Sequence, residues 1–401
     1  MTEGGRNMPE LYKKVKTAVV GCGSISSIYI RNLKSLFTII DLVALCNRTR
    51  GKAEEKAAQF GIPRVLTLEE LAADPEIELV VNLTPPGSHY EVTRMMLEAG
   101  KHVYSEKVLT TDLNQAWELA DLAKQKGLYL GCAPDTVLGA GIQTARRIID
   151  TGLIGQVTSG FVSVTRSHNL MSELFPFLRG QCGSLPYDVG VYYIGALIAL
   201  LGPVKSVCAF ASPAPVYEKQ LLFLEDAPEL WQIPGSNLIC AGLKFESGPL
   251  VNVHFNGNTV GDEQSRFELY GTLGRMKVGD PNTFGGKASL TLPEGQETEF
   301  PFTHGYDGTN ALGAPEPFDG GGNRGIGVAE MAYALRQGRP NRLNQDYGIH
   351  CLEVLTGMDE AARTGVVYEM RSRCSLRPLA PGFYSTVWGS ARADAERSLV
   401  D

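Results

Sequence analysis

At 401 residues the chain is too long for one ordinary hydrophobic core and calls for two domains. With 43% hydrophobic and 20% charged residues it has the make-up of a soluble globular protein, and a net charge of -7 without clustered Lys and Arg excludes a nucleic-acid surface. No run approaches the roughly 20 apolar residues of a membrane span, and the opening MTEGGRNMPELYKKVK lacks the apolar centre of a signal peptide, so a cytoplasmic location is expected.

In chain order, residues 1–15 read as a tail. The stretch TAVVGCGSISSIYIRNL then predicts strand, tight turn and helix: Ala18, Val19 and Val20 enter a turn at Gly21 and Gly23, and Ile25, Ile28, Tyr29 and Leu33 follow at helical spacing. Glycines at 21 and 23 let a diphosphate approach the backbone, while Ser24 and Ile25 lead into a helix whose free N–H groups attract it. The expected ligand is a dinucleotide. Ser26 stands where the third glycine of G-x-G-x-x-G is expected, so helix and strand must pack around a hydroxymethyl group.

A second apolar run, Leu42 to Leu45, ends in Cys46, Asn47, Arg48, Thr49 and Arg50, where the adenosine ribose should lie. An acid here would accept from a free 2′-hydroxyl; donors and positive charge, Asn47 and Arg48 foremost, suit a 2′-phosphate. The lean is therefore to NADP over NAD, although Arg48 and Arg50 also fit a solvated helix start. A helix at Leu68 to Ala73 precedes a strand, Leu79 to Leu83, that is apolar but for Asn82, as in a parallel sheet covered on both faces. That strand ends in Thr84, Pro85 and, opening the next helix, His89, at the edge where cofactors collect. The strand through Val103 ends in Glu106 and Lys107, which places Lys107 beside the expected nicotinamide. A helix from Leu113 to Lys126 and a strand at Tyr129 to Cys132 close a doubly wound unit spanning 16–133.

The segments GCGSIS, NLTPPGSHYEV and, above all, GKHVYSEKV resemble the glucose-fructose oxidoreductase, inositol dehydrogenase and MocA family of NAD(P)-dependent oxidoreductases. DTGLIGQV, GSLPYDVGVYYIGALIALLGPVKSV and VAEMAYALRQGRPNR resemble its second domain and closing helices. The resemblance implies an α/β protein: an N-terminal Rossmann domain with a doubly wound parallel sheet, then an α+β domain with a large, mostly antiparallel open sheet. Val108 replaces the proline of the family's Glu-Lys-Pro motif.

The second domain is expected over 134–374. Helix 141–151 crosses between domains, Gln156 to Arg166 alternates as a strand, and an irregular loop from Ser167 to Cys182 carries His168 and Asn169. With Asp135, these are candidate substrate contacts. From Pro186 a helix is expected, which puts Asp188 and Tyr192 four residues apart on one face, able to address one substrate hydroxyl. The bare spacing equally fits an acid favoured by the helix dipole and a tyrosine packed on the core. The family resemblance implies a catalytic Asp188, with Tyr192 where most members carry His. Strand-like runs from Val204 to Val278 imply the antiparallel sheet, a long Gly- and Pro-rich loop covers 279–327, and helices return at 328–337 and 350–363.

These readings combine into hydride transfer between a nicotinamide and a secondary alcohol carbon of a sugar, inositol or glycoside. Lys107 shares the proton of the reacting oxygen and Tyr192 is its relay; both start with pKa values near about 10, and a close pair is expected to lower both, with Asp188 orienting them. Dihydrodiol, keto-sugar or imine reduction, or a non-catalytic NAD(P) sensor, are the alternatives. Residues 375–401 read as a tail that folds back on the body or a second subunit, and a homodimer or homotetramer is expected. Eight scattered cysteines without a Cys-x-x-Cys pair read as buried thiols, not as a metal or disulfide framework.

Overall fold

The structure is a computed structural model describing residues 13–218, 230–261, 263–307 and 324–382. The first unit alternates strands and helices: β1 (Val15–Val20), α1 (Ser26–Ser35), β2 (Ile40–Cys46), α2 (Arg50–Phe60), β3 (Arg64–Val65), α3 (Leu68–Ala73), β4 (Leu79–Asn82), α4 (His89–Glu98), β5 (His102–Ser105), α5 (Leu113–Gln125) and β6 (Leu130–Cys132). The strands form one six-stranded sheet in the order β3-β2-β1-β4-β5-β6, parallel throughout. The order reverses at β1/β4, so the turn after β1 opens at the switch point where ligands bind in such sheets. Leu79, Val80 and Val81 are fully buried, as a central strand covered on both faces requires.

The second unit begins with α6 (Ala140–Asp150), β7 (Val157–Thr165), α7 (His168–Leu174), α8 (Val191–Leu201) and β8 (Val204–Pro213). It continues with β9 (Tyr217–Glu218), β10 (Leu230–Trp231), β11 (Ser236–Phe245), β12 (Leu250–Asn256), β13 (Gln264–Gly271), β14 (Arg275–Lys277), β15 (Ser289–Thr291) and β16 (Thr298–Glu299). It closes with α9 (Ile326–Gln337), α10 (Gln345–Thr364) and β17 (Tyr368–Glu369). Its nine-stranded sheet has the order β16-β15-β14-β13-β7-β12-β11-β8-β17 and is antiparallel except where β7 meets β12. Every residue of α8 is buried, so this uniformly apolar helix is core. Both closing helices return to the first sheet: α9 packs on β5 and β6, and α10 on β6 and α5. Arg336 of α9 fixes this return by gripping Glu78 at the entry to β4, at 2.7 and 2.9 Å.

Three expectations are corrected. The loop after Arg166 is helical over His168–Leu174 and continues as a 3₁₀ turn over Pro176–Arg179. The stretch after 278 contributes β15 and β16 to the sheet; Gly320 to Gly322 lie outside the described residues, as do Phe383, Tyr384 and Trp388. The cysteines are free, but Cys208 and Cys240 are exposed and Cys182 is half-buried, since 208 and 240 occupy outward positions of β8 and β11. Among the described residues no helix is long and apolar enough to cross a membrane, and no cluster of His, Cys, Asp or Glu is arranged to hold a metal ion.

Candidate active site

A cleft of about 1500 Å³ runs between the carboxyl edge of the parallel sheet and the second unit. At one end lies the glycine turn. Gly21 has φ +101°, and a Cβ there would lie 2.7 Å from the Leu83 carbonyl carbon, so only glycine fits between β1 and the β4 exit. A Cβ on Gly23 would meet nothing within 4 Å; it would project into open space where a diphosphate needs room. Ser26 replaces the third glycine at little cost, because its Oγ donates to the Gly23 carbonyl at 2.6 Å and the side chain is buried. The turn thus presents backbone donors and an empty face, which fits the diphosphate of a dinucleotide. Ser24 and Ile25 line the same end, as do Thr84 and Pro85 opposite.

At the adenosine end Asn47 is committed to the protein. Its Oδ1 accepts from Cys22 N at 3.0 Å and its Nδ2 donates to Thr49 O at 2.9 Å, tying the β2 exit to the glycine turn. Arg48, Arg50 and Lys52 line the cleft beyond it, with Glu69 on the same wall.

Lys107 meets Asp188, 81 residues further along the chain, and Tyr192 at the other end. Lys107 Nζ donates to Asp188 Oδ1 at 2.9 Å and to its carbonyl at 2.7 Å, and lies 5.1 Å from the Tyr192 ring centroid. Asp188 stands in a wide π-type turn, Pro186–Gly190, that feeds directly into α8. Glu106 positions the lysine from behind: its Oε2 accepts from Lys107 N at 2.9 Å while its Oε1 accepts from buried Tyr29 at 2.7 Å. The Lys107–Val108 peptide is cis.

The electrostatics differ from the expectation that Lys107 would be lowered. Burial pushes its ammonium down, but the adjacent Asp188 carboxylate, together with Tyr192 and Glu106, outweighs burial and holds it above the ordinary lysine range. Burial likewise pushes Asp188 up, and Lys107, His168 and Arg166 together reverse this, leaving it below the ordinary carboxylate range. The pair is therefore an ammonium and a carboxylate at neutral pH.

Four expected contacts are not in the cleft. His89 is fully buried, with Nδ1 2.6 Å from Val108 O and Nε2 2.7 Å from Thr84 O, so it braces the exits of β4 and β5 behind the cofactor edge. His168 is also buried: Nε2 donates to Gly183 O at 2.7 Å, and burial pushes the ring down to about 4, leaving Nδ1 to accept from Arg166 Nε at 3.1 Å. Asn169 turns inward toward Gly257 O at 3.4 Å. Asp135 Oδ2 accepts from Gly325 N at 2.8 Å and Gly327 N at 3.2 Å, holding the chain that enters α9. Burial raises its carboxyl to about 6. Each of these polar side chains bonds at least one backbone group of the fold.

Two arginines that sequence reasoning missed stand in their place. Arg166, at the β7 exit, reaches Asp188 Oδ2 at 3.3 Å and Glu263 at 3.2 Å, completing a line Lys107–Asp188–Arg166–His168. Arg324 is buried and donates to Tyr192 Oη at 3.2 Å and to Asn282 Oδ1 at 2.8 Å, with its guanidinium carbon 5.1 Å from the Tyr192 ring centroid. Arginine only donates, so this bond occupies a lone pair of the phenol and leaves its proton free for another acceptor. Arg166 was readable only as the last residue of an alternating strand, and Arg324 lies in a glycine-rich stretch with no local signal.

Residues 15–133 match the oxidoreductase family with an NAD-binding Rossmann fold, and residues 142–277 match the GFO/IDH/MocA C-terminal domain. The chain belongs to the GFO/IDH/MocA family. Among relatives, an uncharacterised oxidoreductase of Schizosaccharomyces pombe is 33% identical over 57% of this chain and 64% of its own length. The NADP⁺-dependent scyllo-inositol 2-dehydrogenase of Bacillus subtilis is 28% identical over 49% of this chain and 54% of its own. The chain thus spans less than two thirds of the length of either relative. Levoglucosan dehydrogenase in complex with NADH and L-sorbose superposes with a TM-score of 0.75, covering 89% of this chain and 98% of that one at 18% identity. An Agrobacterium radiobacter oxidoreductase in complex with NAD⁺, L-tartaric acid and magnesium gives 0.71, with 89% and 98% coverage at 18% identity. At such identities these structures show the shared two-unit fold alone.

Proposed function

We propose that this GFO/IDH/MocA protein transfers hydride between the nicotinamide of a dinucleotide and a secondary alcohol or ketone carbon of a sugar, inositol or glycoside. The observation that carries the reading is the Lys107–Asp188 bond beside Tyr192, at the opposite end of the same cleft from the glycine turn. A nucleotide sensor needs no such constellation. Gly21, Gly23, Ser24 and Ile25 hold the diphosphate, Thr84 and Pro85 flank it, and Arg48 with Arg50 and Lys52 supports NADP over NAD through a 2′-phosphate. When bound, the nicotinamide supplies or accepts the hydride.

The protein positions the carbon and moves the proton. Lys107 donates to the reacting oxygen; held as an ammonium by Asp188, it is prepared to give a proton to a developing alkoxide. Tyr192, with a lone pair engaged by Arg324, directs its own proton to the same oxygen and relays it. Arg166 keeps Asp188 charged and in place when Lys107 shifts its proton. The outward face of the nine-stranded sheet, which exposes Phe210 and Leu250 at 84% and 59%, supports a homodimer or homotetramer.

The test is the absorbance of reduced nicotinamide when inositols, aldoses and glycosides are added to the purified protein with NAD or NADP. A rise with one polyol and one cofactor is expected. Bound cofactor that no alcohol reduces and no ketone oxidises would overturn the reading in favour of a sensor.

A further inference from the structure

The segment expected as an irregular loop instead presents an apolar wall. Met171 of α7, Phe175, and Phe177 and Leu178 of the following 3₁₀ turn all line the cleft. Phe175 and Phe177 form a tilted pair with ring centroids 6.2 Å apart, and Phe177 is 43% exposed. The wall is fastened at the Asp188 end. Its first residue, His168, bonds Gly183 O at 2.7 Å, and a Cβ on Gly183 would lie 2.0 Å from the Leu178 carbonyl, so the turn closes against the residues that lead to Asp188. The wall therefore belongs to the unit that carries Asp188 and Tyr192.

The substrate end is thus two-sided. Its floor is polar, with Lys107, Asp188, Tyr192, Arg166, Asn282 and Arg324, while the four described wall residues that line the cleft, Met171, Phe175, Phe177 and Leu178, offer no hydrogen-bonding group beyond the weak thioether of Met171. A free inositol bears hydroxyls around its whole ring. Those facing the wall would lose water without gaining a partner. A ligand with one polar end and one apolar end pairs its hydroxyls with the floor and buries its apolar end on aromatic and thioether groups suited to variable shapes.

Resting on the function proposed above, we infer that this wall is a subsite for an aromatic or similarly bulky apolar aglycone. The preferred substrate is a glycoside whose sugar ring sits on the polar floor.

A matched pair of methyl and phenyl glycosides of one sugar, in both anomers, tests this with the cofactor-loaded protein. The phenyl glycoside is expected to show kcat/KM about tenfold or more above the methyl glycoside, carried by KM. In Phe175→Ala/Phe177→Ala that ratio falls to about one. Equal kcat/KM for the pair in the native protein overturns the inference. So does a variant that loses both glycosides alike, which would mean stacking on the sugar ring itself, or one that loses only cofactor affinity, which would mean the wall covers the dinucleotide. Preference for an aromatic dihydrodiol over the phenyl glycoside also overturns it. Absence of hydride transfer from every glycoside counts against the proposed function alone. Calorimetric binding of the same pair to the loaded protein then decides the subsite, with phenyl binding tighter than methyl and the difference lost in the double variant.

Discussion

The two ends of the cleft are built on different principles. The dinucleotide end is made of consecutive backbone: Gly21 to Ile25 after β1 and Leu83 to Pro85 after β4, shaped by one glycine that no other residue can replace. The substrate end is made of side chains drawn from the exits of β5 and β7, the turn before α8 and its first turn, and residues 282 and 324. At the diphosphate one end offers neutral N–H groups and empty space; the other is a line of charges that hold each other's protonation states. The two ends should therefore fail separately when mutated.

The largest separation is expected in Lys107→Met. Removing the proton-sharing ammonium should lower kcat by about 10²–10⁴-fold, while dinucleotide affinity, measured by fluorescence titration, stays near native. Asp188 retains Arg166 as a partner in this variant, so the carboxylate is not left alone. A parallel loss of cofactor affinity would break the division.

Asp135 sharpens the comparison because it lies behind the substrate end and serves the fold. Its folded-state carboxyl is raised to about 6 from an ordinary value of 3.8, so the folded protein binds this proton more tightly than the unfolded chain. That contribution to stability is present below about pH 4 and is lost as pH rises to about 6, on the order of 3 kcal/mol in total. Asp135→Asn keeps an oxygen for Gly325 and Gly327 and should remove this slope from the difference between native and variant denaturation curves.

A smaller effect is expected in Arg324→Met. Loss of a charge-assisted bond to Tyr192, worth about 1.5–3 kcal/mol, should reduce kcat by roughly ten- to a hundredfold with the KM for dinucleotide unchanged. Smallest is Arg48→Ala, which should weaken NADP by about tenfold, one charge-assisted contact to a phosphate, and leave NAD as it was. Equal weakening of both cofactors would show that Arg48 does not read the 2′-phosphate.

The same contrast explains what the sequence revealed. The strand and helix rhythm, the reversal at β1/β4, and Gly21 with Gly23 were legible because each depends on neighbours in the chain. Lys107 was legible because a strand exit fixes where its next residue emerges, and Asp188 with Tyr192 because one turn sets their spacing. Asp135, His168, Asn169 and His89 were misplaced for one reason: polarity in sequence does not say whether a side chain meets a ligand or a backbone carbonyl. Arg324 reaches Tyr192 across 132 residues, and no local pattern records that meeting. Helix α7 was missed because its polar first residues read as loop, whereas His168 is buried by its bond to Gly183.

The central claim is that Lys107, held protonated by Asp188, gives and takes the proton of the oxygen on the carbon that exchanges hydride. The most direct measurement is the pH dependence of ketone reduction by the native protein, set beside Asp188→Asn. Native reduction should persist through neutral pH and fail only in the alkaline range, because the carboxylate keeps the ammonium above its ordinary value. In Asp188→Asn the alkaline limb should move to lower pH. An alkaline limb that stays where it was in Asp188→Asn, or a native rate that falls already as pH rises through neutrality, would contradict the account.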